Sequence, residues 1–181
     1  TIGSNTNIFL GGSALSGCGI GFASLCDMSI LQSELNKISG NKITIGGTLN
    51  GDITVDGITL TSFNEGVVLD VNTHISGSNG AIIFKADSSF PSLEAKAING
   101  INVNANITTT TGAISLNGDT DSRIDSISPK DNITFANNIS LNSATSISLS
   151  AITGGITSAA GLTLTAPTSI TTTGDLTAPG T

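Results

Sequence analysis

From about residue 41 onward the chain is written in very short alternating phrases. One aliphatic residue follows one Thr, Ser or Asn for three to five positions, and then Gly, Asn, Asp or Pro interrupts. "KITIGG" begins at Lys42, "DITVDG" at Asp52, "GAISLNG" at Gly112, "NITFANN" at Asn132, "SISLSA" at Ser146 and "GLTLTA" at Gly161. A period of two places successive side chains on opposite faces of a half-buried strand. Strands so short and closely spaced do not suit a sandwich, whose strands run about five to ten residues. A solenoid accepts them, because each coil holds two or three short strands and the next stacks about 4.8 Å further on. The expected fold is all-β, a right-handed parallel β-helix, with an adhesin-type β-sandwich as the alternative.

Repetition at longer range supports coils. "ITTTTGAISLNG" at 107–118 returns as "ITTTGDLTAPG" at 170–180, an offset of 62 that pairs Gly112 with Gly174 and Ile114 with Leu176. Ile82 and Ile101 are 19 residues apart, Ile114 and Ile133 are 19 apart, and Ile156 and Leu176 are 20 apart. Periods in this range mark stacked repeats, and residues 41–181 then make about seven coils. Phe63–Ser78 and Ser88–Lys96 break the pattern and read as irregular loops. Aromatics are 3% of the chain, with no Trp or Tyr. A thin solenoid explains this, since its interior takes one layer of Ile, Leu, Val and Ala, while Thr and Ser point outward and Asn and Gly turn the corners.

Residues 1–40 differ, and they are expected to form a separate segment or cap. "GGSALSGCGIGFAS" (11–24) is glycine-rich, but its spacing fits neither a dinucleotide fingerprint nor a phosphate loop. It reads as a connector. Met28, Leu31, Leu35 and Ile38 are spaced as a helical stripe, which predicts a short helix within 24–39, with Ser24 and Asp27 as caps. Such a helix would cover an exposed coil end. Cys18 and Cys26 are the only cysteines. In a secreted protein they are candidates for a local disulfide stapling this segment; two unconnected thiols are the other reading.

The charge balance excludes several classes of function. Net charge is −7, and the six Lys and Arg residues are scattered, so there is no positive stripe for nucleic acid or for an anionic membrane. No apolar run approaches the roughly 20 residues needed to span a bilayer. "TIGSNTNIFLGG" carries no signal-peptide pattern, and the chain reads as a piece of a larger protein. His74 is the only histidine, which argues against a zinc site, and no G-x-S-x-G nucleophile motif occurs. Asp52, Asp56, Glu65, Asp70, Asp87 and Glu94 lack the aromatic neighbours that polysaccharide-cleaving sites use. No catalytic residue and no cofactor is expected. "NGDTDSRID" (117–125) is the best polar cluster: Asn117, Asp119, Asp121 and Asp125 alternate like the ligands of a calcium loop. Arg123 and the lack of a closing Glu favour the competing reading, a solvated corner loop.

The stretch from "INVNANITTTTGAISLNG" to "GLTLTAPTSITTTGDLTAPG" (101–180) resembles the repeat region of filamentous-haemagglutinin-type exoproteins. Autotransporter passengers are a second likeness, through "NGAI" (79–82) and "FANN" (135–138). The resemblance implies a right-handed parallel β-helix, secretion to a bacterial cell surface, and adhesion to a host-cell receptor, a glycan or a neighbouring cell. Lateral or end-to-end self-association is compatible with it. The loops at 61–80 and 86–97 would make the contacts. A carbohydrate- or polymer-binding module is the alternative, as is a fragment of a β-helical polysaccharide-active enzyme such as a phage tail spike.

Overall fold

The computed structural model describes residues 6–12, 28–72, 80–123 and 131–177. The chain opens with β1 (Thr6–Gly11) and β2 (Met28–Ile30), then a single helical turn, α1 (Gln32–Leu35), then β3 (Gly40–Gly47), β4 (Asn50–Asp56) and β5 (Phe63–Val71). A three-strand phrase follows: β6 (Ile82–Ala86), β7 (Ser88–Phe90) and β8 (Leu93–Ala97). It recurs as β9 (Ile101–Val103), β10 (Ile107–Thr109) and β11 (Ile114–Asn117), and as β12 (Ile133–Asn137), β13 (Ser140–Asn142) and β14 (Ser146–Ser150). The last full turn is β15 (Ile156–Ala160), β16 (Thr163–Thr165) and β17 (Ser169–Thr173), and β18 (Leu176–Thr177) begins another.

These strands form three walls of a prism. The first has the order β18-β15-β12-β9-β6-β4-β1-β2, the second β16-β13-β10-β7, and the third β17-β14-β11-β8-β5-β3. From β3 onward, neighbours in each wall come from successive coils and pair in parallel. The fold is a parallel β-helix. A sandwich of hairpins would have required antiparallel neighbours.

Register explains the alternating sequence. Ile53, Ile82, Ile101, Ile133, Ile156 and Leu176 stack in the first wall. Ile43, Val67, Leu93, Ile114, Ile147 and Ile170 stack in the third. A one-residue slip would turn every aliphatic residue outward, so burial fixes the register. Phe63, Phe84, Phe90 and Phe135 are fully buried, with the Phe84 and Phe90 rings edge to face at 6.4 Å. Side chains at the corners stitch coil to coil. Asp87 Oδ1 accepts the Asn106 N–H at 2.8 Å, and Asn106 Oδ1 accepts the Ser140 N–H at 2.8 Å.

Several expectations are corrected. The 62-residue offset joins different walls: Ile114 lies in the third and stacks on Ile147, whereas Leu176 lies in the first and stacks on Ile156. The Ile82–Ile101 and Ile156–Leu176 spacings are true coil repeats, but Ile114–Ile133 crosses from one wall to another. Among the described residues the third wall has six strands, against about seven coils expected for 41–181. Nor is Phe63–Val71 a loop. It is a nine-residue strand whose "VVL" run is wholly buried, which hides the alternation. Ser88–Phe90 and Leu93–Ala97 are strands as well; Glu94 and Lys96 face outward between buried Leu93, Ala95 and Ala97.

The N-terminal end also departs from the expected 24–39 helix. Met28–Ile30 is a strand paired with Ile8–Leu10, and only Gln32–Leu35 is helical. Parallel pairing overrides the local helical spacing. Of the expected stripe, only Leu35 is buried, while Met28 and Ile38 are exposed. Ser24 and Asp27 lie outside the described residues. Strand β1 sits between β2 and β4, so the first wall begins before residue 41. The helical turn closes the end of the second wall through one side chain. Gln32 Nε2 donates to the Thr59 carbonyl at 2.8 Å, and Gln32 Oε1 accepts the Thr59 N–H at 2.8 Å. On the other side of Thr59, Leu60 N–H donates to the Ser89 carbonyl at 2.9 Å and Ser89 N–H donates to the Ile58 carbonyl at 2.8 Å, as in a parallel strand pair. The carboxamide therefore stands where the peptide group of a preceding coil would stand.

Candidate functional site at one edge of the prism

Among the described strands, the edge between the third and first walls is crossed six times, at 48–49, 72–81, 98–100, 118–132, 151–155 and 174–175. Two crossings are long, and between them lies the tight corner of Ile98, Asn99 and Gly100. That corner is tied to both: Asn99 N–H donates to the Gly80 carbonyl at 3.2 Å, and Thr120 N–H donates to the Ala97 carbonyl at 3.1 Å. Both long crossings thus begin and end on one edge of the rod, two coils apart.

The ends of the 118–132 excursion are held by strained backbone and buried acids. Ser122 (φ 54°) and Asp131 (φ 50°) are left-handed without being glycine, a conformation that needs support from surrounding structure. Asp119 and Asp131 are both buried. Thr153, from the next coil, joins them. Its N–H donates to Asp119 Oδ2 at 2.6 Å, and its hydroxyl lies 2.9 Å from Asp119 Oδ2, 2.9 Å from the Arg123 carbonyl and 3.4 Å from Asp131 Oδ2. One hydroxyl proton serves one acceptor at a time. The group is a clasp that pins both feet of the excursion to the following coil.

The expected calcium ligands are partly used by this clasp. Asn117 Oδ1 accepts the Asp119 N–H at 3.0 Å, an Asx turn. Asp121 Oδ1 accepts the Arg123 main-chain N–H at 3.3 Å. Among the described residues, no group of three or more His, Cys, Asp or Glu side chains is placed to hold a metal ion. Asp125, His74, Cys18 and Cys26 lie outside the described residues. Sequence reading missed Asp131 and Thr153. Thr153 is 34 residues from Asp119, and only the "TGG" break in "AITGGIT" hinted at a corner.

The acids weighed and set aside as catalytic candidates take separate partners. Asp56 meets Lys85 at 3.0 Å, and Glu94 meets Lys96 at 3.2 Å and Lys42 at 3.7 Å on the outer face of the third wall. Asp52 accepts the Ala81 N–H, and Asp87 bonds to Asn106. Beyond β8 that outer face changes character. Ser115 and Asn117 on β11 align with Ser148 and Ser150 on β14, which align with Thr171 and Thr173 on β17; Ser146 aligns with Ser169. No charged residue occurs between Asp131 and Asp175. A shallow groove of 540 Å³ beside α1 is lined by uncharged polar residues, Gln32, Asn36, Thr59 and Thr61 among them. Among the described residues, no helix is long and apolar enough to cross a membrane. No family model, curated protein or solved structure matches the chain.

Proposed function

We propose that this chain is a structural and adhesive section of a secreted or surface-displayed bacterial exoprotein, attaching to host cells or to neighbouring cells. The observation that carries this reading is the shared edge: two long crossings begin and end on the same side of a regular rod, two coils apart. Binding concentrates where a rigid scaffold is interrupted. The buried clasp of Asp119, Asp131 and Thr153 supports it, because it fixes the feet of one excursion and so orients whatever that excursion carries. The texture shared with filamentous-haemagglutinin-type repeats supports it too. The contacts move from 61–80 and 86–97, which contain the strands β5, β7 and β8, to the feet of 72–81 and 118–132.

A second reading, a polymer-binding module along one wall, is favoured by the charge-free grid of Ser and Thr on the third wall. Beads coated with the purified chain and presented to cell monolayers and to bacterial cells test the first. The expected result is retention that falls at least several-fold when 124–130 is replaced by an equal length of Gly and Ser, with an unchanged β-rich circular dichroism spectrum. Coated beads that adhere no better than uncoated ones to any of these surfaces would overturn it.

A further inference from the structure

We infer that the outer face of the third wall, over β11, β14 and β17, is a docking surface for a neutral polysaccharide. The inference rests on the adhesive reading and names the ligand class for one part of the rod.

The face is defined by what it offers. Main-chain donors and acceptors of β11 and β14 are used between coils, as where Ala151 N–H donates to the Thr173 carbonyl at 2.8 Å, so side chains carry the outward hydrogen bonding. Those side chains form a grid. Ser146, Ser148 and Ser150 on β14 stand in register with Ser169, Thr171 and Thr173 on β17. Columns repeat at one strand spacing, about 4.8 Å, and at two residues along each strand, about 6.6 Å. Ser148, Ser169, Thr171 and Thr173 are exposed, while Ser115, Asn117, Ser146 and Ser150 are half-buried.

The chemistry selects the partner by exclusion. With no Lys or Arg on the grid, a sulfated or uronic-acid polymer finds no cation to offset its desolvation. With no Asp or Glu there, a cationic polymer is equally unmatched. The grid residues carry no aromatic ring or large apolar side chain, so neither stacking nor apolar burial selects the ligand. An uncharged polymer with hydroxyls repeating along a flat ribbon satisfies the surface, each hydroxyl donating and accepting. Each bond exchanges for water and contributes little, so affinity comes from many contacts made together. The charge boundary sets its limit: Glu94 and Lys96 on β8 begin the ion-paired part of the same wall. A rigid crystal surface such as ice is a poorer match, because Ser, Thr and Asn differ in reach and the grid is not uniform.

Co-sedimentation of the purified chain with microcrystalline cellulose, chitin and granular starch, with alginate as an anionic control, tests this. Retention on at least one neutral polymer is expected, unchanged between low and high salt, and reduced at least ten-fold by Ser148→Asp with Thr171→Asp. Asn142→Asp with Thr165→Asp, the same charge change on the second wall, should leave retention unaltered. No retention on any neutral polymer, or equal loss from both pairs of substitutions, overturns the inference. So does a concentration-dependent dimer, or thermal hysteresis in ice, abolished only by the third-wall pair. Retention on a neutral polymer that survives the third-wall pair would sink this inference alone; beads that never adhere to cells sink the adhesive reading.

Discussion

Thr153 donates one hydroxyl proton in the midst of three acceptors, the carboxylates of Asp119 and Asp131 and the carbonyl of Arg123. Replacing Thr153 by Val keeps the shape and the main-chain bond to Asp119 but removes that proton, leaving a buried carboxylate short of a donor. The expected cost is about 1–3 kcal/mol. It should appear as a lower urea midpoint with unchanged slope, and Thr153→Ser should recover most of it. A Thr153→Val midpoint equal to the parent's would mean that water replaces the hydroxyl, and that the clasp does not hold the excursion. The cluster was only half legible in the chain. Asn117, Asp119 and Asp121 fall within five residues and attract attention, but nothing local links them to a threonine in the next coil. Side-chain chemistry at short range reads from sequence; its pairing across coils needs the register.

At the scale of the element, α1 shows how a single turn closes a wall. Its Glu34 carboxylate accepts the Leu31 N–H at 2.9 Å, Leu35 plugs the core, and Gln32 satisfies both main-chain groups of Thr59. An open strand edge is a template for another chain. Gln32→Ala should therefore free Thr59 and promote association, giving a concentration-dependent rise in mass by light scattering or sedimentation that is steeper than the parent's. Gln32→Glu tests the geometry: its carboxylate accepts from Thr59 N–H but cannot donate to the carbonyl, so an intermediate tendency is expected. A Gln32→Ala protein as monodisperse as the parent would show that the edge is protected by other groups. The helical stripe in the sequence pointed to a helix and a cap. It overstated the length, because apolar spacing at Met28 and Leu31 fits a strand start as well as a helix turn, and pairing with Ile8–Leu10 decides the matter. Short aliphatic-hydroxyl alternation was the reliable signal, because each strand of the regular coils needs it to face one side inward. It failed at "VVLDV" and "LEAKA", where continuous burial and outward charges obscure the period.

Over the whole molecule the coil length is not constant. Successive first-wall partners Ile82, Ile101, Ile133 and Ile156 are separated by unequal stretches because the third-to-first edge absorbs insertions. The offset of 62 therefore joins residues on unlike walls. Such a rod is nearly one-dimensional: each coil touches its neighbours, and stability is roughly a sum over coils and their interfaces. The interior layers around β8, β11 and β14 are fully buried, whereas every residue of β17 is exposed and Ile170 and Leu176 remain 44% and 52% accessible. Opening free energies should then fall along the axis, from near the global value in the middle coils toward zero at the last one. Native-state hydrogen exchange reads this directly. Amides of β8 and β11 are expected to exchange slowest, those of β14 to be intermediate, and those of β16, β17 and β18 to exchange fastest, by orders of magnitude. Equal protection from β8 through β17 would mean that the rod unfolds as a single cooperative unit, and that the hydroxyl grid on β14 and β17 is as rigid as the core beneath β11. A steep gradient would mean that the grid's outermost row is held loosely, and a polymer lying across it should slow exchange in β17 before any other strand.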